Sequence, residues 1–321
     1  MKKIIHSLMV AALLCSASAA SWAEYPEKTI RLVVPFAPGG SASSSGRLLA
    51  EKLSAVLGKQ VYVDNIGGAN GAIGAAAVVR AAADGYTLFY SAAGIMTVNP
   101  SLYKKLTYAV KDFDPVSLSS TFSSVLFVNA AFPVKDVPGL VAYAKAHPGE
   151  VTFGSAGHGS SGHLWGEVLK ARAGIDIRHI PYKGTSPALV DVMGGQLTFI
   201  VDAAVLGMQH VKSGKLRALG ATSTKRLETA PDVPTFLEQG LAGFERLSWY
   251  GVFAPVGTPT DIVSTLNKAI ARVSASPDYR QELNALGMNT AATSPEALRS
   301  QVRDESEYWG KILRDAGVSL D

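Results

Sequence analysis

Ser160, Ser161 and His163 stand within four residues of one another, with Asp191 and Asp202 downstream. A hydroxyl, an imidazole and a carboxylate are the ingredients of nucleophilic hydrolysis. The local run is Gly159-Ser160-Ser161-Gly162-His163, however, which lacks the G-x-S-x-G elbow that exposes a serine nucleophile. His163 also falls on the first turn of a predicted helix, where it can bond the backbone or a ligand without catalysing anything. A secreted serine hydrolase using Ser160 or Ser161 with His163 stays as an alternative. The same stretch contains Gly157-x-Gly159-x-x-Gly162, a dinucleotide-type fingerprint after a strand and before a helix. The acidic residue that should grip a ribose would be Asp176, which precedes the next strand instead of ending it. Six histidines show no H-x-x-x-H pair and no acidic cluster, so neither a metal site nor a cofactor is expected.

A broader pattern surrounds these residues. Glycine, serine and threonine crowd four loops: Phe36 to Ser43, Gly67 to Ala72, Ser155 to His163, and Tyr182 to Thr185. Glycine lets backbone N–H groups approach a ligand, and a following helix N-terminus favours an anion. One such loop simply closes a turn, but four at strand ends point to a shared ligand cleft. Asp202 ends an apolar strand, where it either caps the next helix or reaches into that cleft. Tyr182 and Lys183 could contact an anion, although Lys183 suits solvent equally well. Trp249 reads as packing at a crossing strand.

The elements that must position these loops alternate strand and helix. Ile30 to Pro35, Gln60 to Asp64 and Tyr86 to Ser91 read as strands, and Gly46 to Leu57 and Ile73 to Ala83 as helices. The pattern restarts near Ser124, with strands at Val125 to Asn129, Val151 to Phe153, Ile177 to Ile180, Leu197 to Val201 and Leu216 to Thr222. Helices Val137 to His147, His163 to Arg172 and Pro187 to Met193 lie between them. Leu247 to Phe253 is a further strand, and the C-terminal third is helical: Thr260 to Ser274, Pro277 to Leu286 and Pro295 to Ala316. The alternation argues for α/β architecture, with open, mainly parallel sheets flanked by helices. A helical tail without its own sheet must pack on the first unit. The expected division is residues 24–125 with 248–321 as one domain and 126–247 as the other, with crossings near Ser124–Asn129 and Glu245–Trp249 forming a hinge.

The N-terminus says where the chain works. Lys2 and Lys3 precede a short apolar run, Ile4 to Leu14, and small residues end at Ser21-Trp22-Ala23. That is the layout of a signal peptide, residues 1–23, cleaved on export to the periplasm. Cleavage removes Cys15, the one cysteine, so the mature chain has no thiol or disulfide. Composition is 47% hydrophobic and 17% charged, with net charge +4, or about +2 once Lys2 and Lys3 are gone. Basic residues are scattered, which argues against nucleic-acid binding.

Several runs carry a family resemblance: Tyr25-Pro26-x-Lys28-x-Ile30-Arg31-Leu32-Val33-Val34-Pro35-Phe36-x-Pro38-Gly39-Gly40, Asp84-Gly85-Tyr86-Thr87-Leu88, Asn99-Pro100-Ser101-Leu102-Tyr103, Pro181-Tyr182-Lys183-Gly184, Gly214-Lys215-Leu216-Arg217-Ala218-Leu219, Asp232-Val233-Pro234-Thr235 and Ser248-Trp249-Tyr250-Gly251. Over essentially the whole mature chain, in order, it resembles the Bug-type solute-binding proteins of tripartite tricarboxylate transporters. The resemblance implies two doubly wound α/β domains joined by two crossing strands, a Venus-flytrap periplasmic binding protein of type II-like topology. It implies a monomeric receptor, not an enzyme, that delivers a small organic acid to an integral membrane permease. An orphan sensor serving a signalling partner would share the same fold. The family's ligand loops map onto Phe36, Pro38, Gly39, Gly40 and Ser43, then Ser91 and Ala92. In the second unit they map onto Ser155, Gly157, Ser160, Ser161 and His163, Tyr182 and Thr185, and Asp202. Ser155, Ser160 and Ser161 are expected to hold carboxylate oxygens, and the N–H groups around Gly39 and Gly40 the opposite end. Three positions depart from the family pattern: Ser43 replaces an Asp, and Ala72 and Ala203 each replace an Asn. These changes imply a roomier, less polar pocket for a larger or aromatic carboxylate, with dicarboxylates also in range.

Overall fold

The protein is described by a computed structural model covering residues 25–315 and residue 319. The signal segment inferred over residues 1–23 lies outside the described residues. The first lobe contains β1 (Ile30–Val34), α1 (Ser41–Leu57), β2 (Val61–Asn65), α2 (Ala72–Val79) and β3 (Thr87–Ala92). Two short helices, α3 (Ala93–Thr97) and α4 (Asn99–Leu102), lead to the long strand β4 (Phe113–Phe122). The chain then passes through Ser123 into a second lobe. That lobe holds β5 (Ser124–Asn129), α5 (Val137–Ala146), β6 (Thr152–Ser155), α6 (Ser161–Ala173), β7 (Arg178–Pro181), α7 (Thr185–Met193), β8 (Phe199–Ala203), α8 (Ala204–Lys212) and β9 (Leu216–Ala221). It returns as β10 (Ser248–Pro255) and ends in α9 (Thr260–Ala275), α10 (Pro277–Ala285), a two-residue β11 (Asn289–Thr290) and α11 (Pro295–Asp315).

Two sheets result, ordered β11-β4-β10-β3-β1-β2 and β7-β6-β8-β5-β9. Each is covered by helices on both faces, and the strands record this residue by residue. Along β1, Ile30, Leu32 and Val34 join one core cluster while Val33 joins the other. Along β5, Leu126 and Val128 face one cluster and Val125 and Phe127 the opposite one. Side chains alternate across a strand, so burial on both faces requires an unbroken apolar run. α1 docks closely because Gly46 has no side chain: a Cβ there would sit 3.0 Å from Val34 Cγ2 and 3.3 Å from a Tyr90 ring carbon. Gly58, with φ of 66°, ends that helix in the left-handed conformation.

Three sequence expectations change. The sheets are mixed, not mainly parallel: β1 pairs with β2 and β3 in parallel, but β10 runs antiparallel to both β3 and β4, and β5 antiparallel to both β8 and β9. The returning strand enters from the other lobe and therefore runs in the opposite direction. The serine-rich β4 was not anticipated. Its hydroxyls break the apolar pattern, and two of them are satisfied inside, Ser117 Oγ donating to Leu118 O and Ser119 Oγ to Tyr250 O, while the buried Ser120 Oγ has no partner. The terminal helix also does not rest on the first lobe alone. Leu298 and Val302 of α11 belong to a first-lobe core, whereas Trp309 and Leu313 pack with Trp165 and Phe244 of the second. The Trp165 and Trp309 rings meet edge to face at 5.5 Å.

β4 and β10 lie side by side, with Ser248 opposite Phe122. The two passages between lobes are therefore neighbours, at Ser123 and just before Ser248.

Candidate ligand cleft

Between the lobes lies a cavity of about 350 Å³, within the range of small-molecule sites, roughly 300–1,000 Å³. Its polar character comes mainly from helix ends. α1 begins after Gly40, α6 after Ser160, α7 after Gly184 and α8 after Ala203. None of these four termini has a side-chain cap, and none carries an acidic residue in its first turn. First-turn N–H groups have no partner within the helix, and the helix dipole makes that end partly positive. All four ends line the cavity, through Gly39 to Ala42, Ser160 and Ser161, Thr185 to Pro187, and Asp202 with Ala203. Phe36, Phe122, Leu164, Leu206 and Tyr250 supply an apolar wall, and Lys183 and Arg246 reach the same space. The Arg246 guanidinium is steadied 3.9 Å from the Tyr308 ring centre.

Asp202 is the acidic exception at the second lobe's side of the cleft. It is buried, and its Oδ2 has no hydrogen-bond partner. Burial pushes its carboxyl up to about 6, against the opposing pull of hydrogen bonds from the Thr185 hydroxyl and the Ala203 N–H. It does not serve as the N-cap of α8, a place taken by Ala203.

Of the residues expected from sequence, Phe36, Pro38, Gly39, Gly40, Ala92, Ser160, Ser161, Thr185 and Asp202 line the cavity. Ser43, Ser91, Ser155, Gly157, His163 and Tyr182 do not. Ser43 is turned behind its loop, where Asn65 Nδ2 donates to its Oγ at 3.2 Å. Ser91 Oγ donates to Ala92 O. Ser155 is 1% exposed, with its hydroxyl bonded to Gly157 O and the His179 ring. Gly157 accepts from Ser155 and Ser160 at the rear of the loop. Tyr182 donates its hydroxyl to Asp191. His163 is buried, its Nδ1 accepting from Gly159 N–H. That ring is thus engaged by backbone, and Ser160 Oγ donates to Gly157 O instead. Of the three departures from the family pattern, Ala203 lines the cavity, whereas Ser43 and Ala72 are buried and do not.

Sequence reasoning did not single out Asn70, Arg246, Glu305 or Trp309, which also line the cleft. Asn70 sat within a glycine loop already noted; the others lie on a late loop and helix with no local signature. Nor did spacing foresee the meeting of His158, His163 and His179, whose ring nitrogens lie within 4.8 Å of one another. Burial lowers all three imidazoles, His163 to about 4 and His179 to about 2, with mutual repulsion adding to the effect in those two.

A family model described as the tripartite tricarboxylate transporter family receptor matches residues 46–318. The chain belongs to that family. Bug-type relatives share it: Protein BugT of Bordetella pertussis is 37% identical, the match covering 92% of this chain and 91% of BugT. A protein encoded in the tcbD–tcbE intergenic region of Pseudomonas sp. strain P51 is 38% identical, over 97% of this chain and 93% of that one. Among solved structures, R. palustris Rpa4515 with adipate superposes with a TM-score of 0.87 at 34% identity, covering 92% of this chain and 99% of its own. MatC from Rhodopseudomonas palustris with bound malate gives 0.84 at 32%, covering 90% and 100%. The tricarboxylate-transporter receptors are a periplasmic solute-binding class, and this chain has their two-domain α/β architecture. No helix among the described residues is long and apolar enough to cross a membrane.

Proposed function

We propose that this receptor captures a small dicarboxylate in the interlobe cleft and presents it to a membrane permease of the tripartite type, without turning it over. The observation that carries the reading is the convergence of four uncapped helix N-termini on one cavity with an apolar wall. One carboxylate is held by the N–H groups from Gly39 to Ala42, and the other by Ser160, Ser161 and the start of α7. The hydrocarbon between them lies against Phe36, Phe122 and Leu206. That two relatives were solved with adipate and malate supports the dicarboxylate class. The hinge of this receptor is the paired crossing at Ser123 and before Ser248, and residues 1–23 act as its export signal. Hydrolysis at Ser160 or Ser161 is disfavoured because the His163 ring is engaged by Gly159 N–H.

Thermal-shift and calorimetric titration of residues 24–321, stripped of carried-over ligand by unfolding and refolding, test this. A dicarboxylate at 100 times its Kd adds about 2.7 kcal/mol of stability. Saturable binding of a dicarboxylate with unaltered ligand recovered afterwards is the expected result. Refolded protein that ignores every mono-, di- and tricarboxylate and aromatic acid, or that releases a hydrolysed product, would overturn it.

A further inference from the structure

We infer that His158, His163 and His179 form a binding site for a divalent transition cation of the zinc class, placed behind the cleft-facing loop of the second lobe. The three side chains come from two elements and a loop: His158 from the turn after β6, His163 from the first turn of α6, and His179 from β7. Each offers a ring nitrogen, and the three lie within 4.8 Å of one another. The Nδ1 atoms of His158 and His179 are both buried without any hydrogen-bond partner. Two buried, unsatisfied nitrogens in one place call for something between them.

The hydrogen bonds around the cluster fix the tautomers of His163 and His179. Ser155 donates its hydroxyl to Gly157 O at 3.0 Å, so its Oγ accepts from His179 Nε2–H at 2.6 Å. His179 Nδ1 is then a bare lone pair. Gly159 N–H donates to His163 Nδ1, which is also unprotonated but has its lone pair occupied, so this bond must open before that nitrogen takes a cation; the opposite Nε2–H faces Glu167 Oε1 at 3.7 Å. Metal-bound imidazoles have this arrangement: one nitrogen carries the metal and the other donates to a carboxylate or hydroxyl that orients the ring. Unpartnered nitrogens on His158 and His179 beside a third imidazole favour a cation, and an all-imidazole set suits zinc and its neighbours better than magnesium or calcium. The nitrogens must draw in by roughly 1.5 Å to reach the zinc–nitrogen distance of about 2.0–2.1 Å. His158 supplies that movement, because it sits between Gly157 and Gly159, with φ of 125° and 76°, in a turn built on glycine freedom. A fourth position is left for water. Gly159, Ser160 and Ser161 of the same loop line the cleft, so the bound cation fixes the segment that faces the ligand.

The test uses residues 24–321 carrying a tag without histidine, treated with chelator and dialysed, with zinc chloride and cobalt chloride as probes and no carboxylate present. Its outcome is therefore independent of the proposed ligand. Calorimetry is expected to show one saturable zinc equivalent, and cobalt to give visible ligand-field absorption that zinc displaces. His158→Ala abolishes both signals, and Glu167→Gln, which keeps three imidazoles, weakens zinc by roughly 10- to 100-fold. His158 is half-buried on a turn, so its removal leaves the fold intact by circular dichroism. Wild type that takes up no zinc equivalent, or a folded His158→Ala protein that takes it up unchanged, would overturn the assignment.

Discussion

If the proposed ligand meets Asp202, ligand affinity should depend on pH. Its carboxyl is held at about 6 by burial, and its Oδ2 has no partner inside the protein. An adipate dianion offers only acceptors, so it can pair with Asp202 only when Asp202 carries a proton. At pH 7.5 that proton must be taken up across about 1.5 pKa units, which costs roughly 2 kcal/mol, or about 30-fold in Kd. Affinity should therefore rise close to tenfold per pH unit as pH falls from 8 towards 6, then level off. Calorimetry in buffers of different ionisation enthalpy reads both the Kd and the uptake of about one proton per adipate at pH 7.5. Asp202→Asn supplies a permanent donor of the same shape. It should bind adipate about 30-fold tighter at pH 7.5 and lose the pH dependence between 6 and 8. The empty protein shows the matching sign. A carboxyl whose folded value is raised from 3.8 to about 6 favours the folded state below pH 3.8 and loses that contribution as pH rises through 6. The loss is worth about 3 kcal/mol, so Asp202→Asn should also raise the Tm of the apo protein above pH 6. An affinity that stays flat from pH 8 to 6, or an Asp202→Asn variant that binds more weakly at pH 7.5, would refute the reasoning.

Other substitutions probe the contacts between lobes. A Cβ on Gly94 would press on Gly159 O across the cleft. Gly94→Val should weaken dicarboxylate binding by about 5- to 150-fold, from an overpacking cost of 1–3 kcal/mol, while apo Tm changes little; calorimetry and a melt separate the two. Trp309→Ala removes the ring that seats α11 against Trp165, and chemical denaturation should show a loss of about 3–5 kcal/mol. Trp249 Nε1 donates to Glu305 at 2.9 Å, and burial already raises that carboxyl. Trp249→Phe leaves the acid short of a donor and should cost about 1–3 kcal/mol, read as a lower denaturation midpoint with an unchanged m-value.

The two-lobed α/β plan was legible because its central strands are buried on both faces and therefore written as apolar runs, such as Leu32 to Val34 and Val125 to Val128. β4 escaped notice because its serines break the apolar pattern, and the partner of Ser119, Tyr250, returns only after the whole second lobe. The cleft was half legible for a related reason. Glycine-rich turns advertise helix N-termini locally, so Gly39, Gly40, Ser160 and Thr185 could be named from sequence. Whether the side chain of a loop residue turns outward is a tertiary matter. Ser155 and His163 were expected to meet ligand, but Ser155 is drawn back by His179, and the His163 ring by Gly159 N–H. Arg246 and Trp309 enter the cleft from the return loop and the terminal helix, and nothing near them in the chain marks the destination.

The helix ends also say what closes such a receptor. The first lobe contributes the long helix α1, and the second contributes α6, α7 and α8. Brought together without an anion, four partly positive ends face one cavity, and the approach is opposed. With an anion between them each end is favourable by about 0.3–1 kcal/mol, and up to ~2 where partly buried. A ligand seated first on the three ends of the second lobe gains the α1 end only on closure. Its differential affinity for the closed form is thus of the order of 1–2 kcal/mol from that helix alone, a shift of roughly 5- to 30-fold in the open–closed ratio. A monocarboxylate cannot span to α1 and forgoes that term. On the proposed dicarboxylate reading, chain length between two carboxylates, and not charge alone, is therefore the property this cleft should measure.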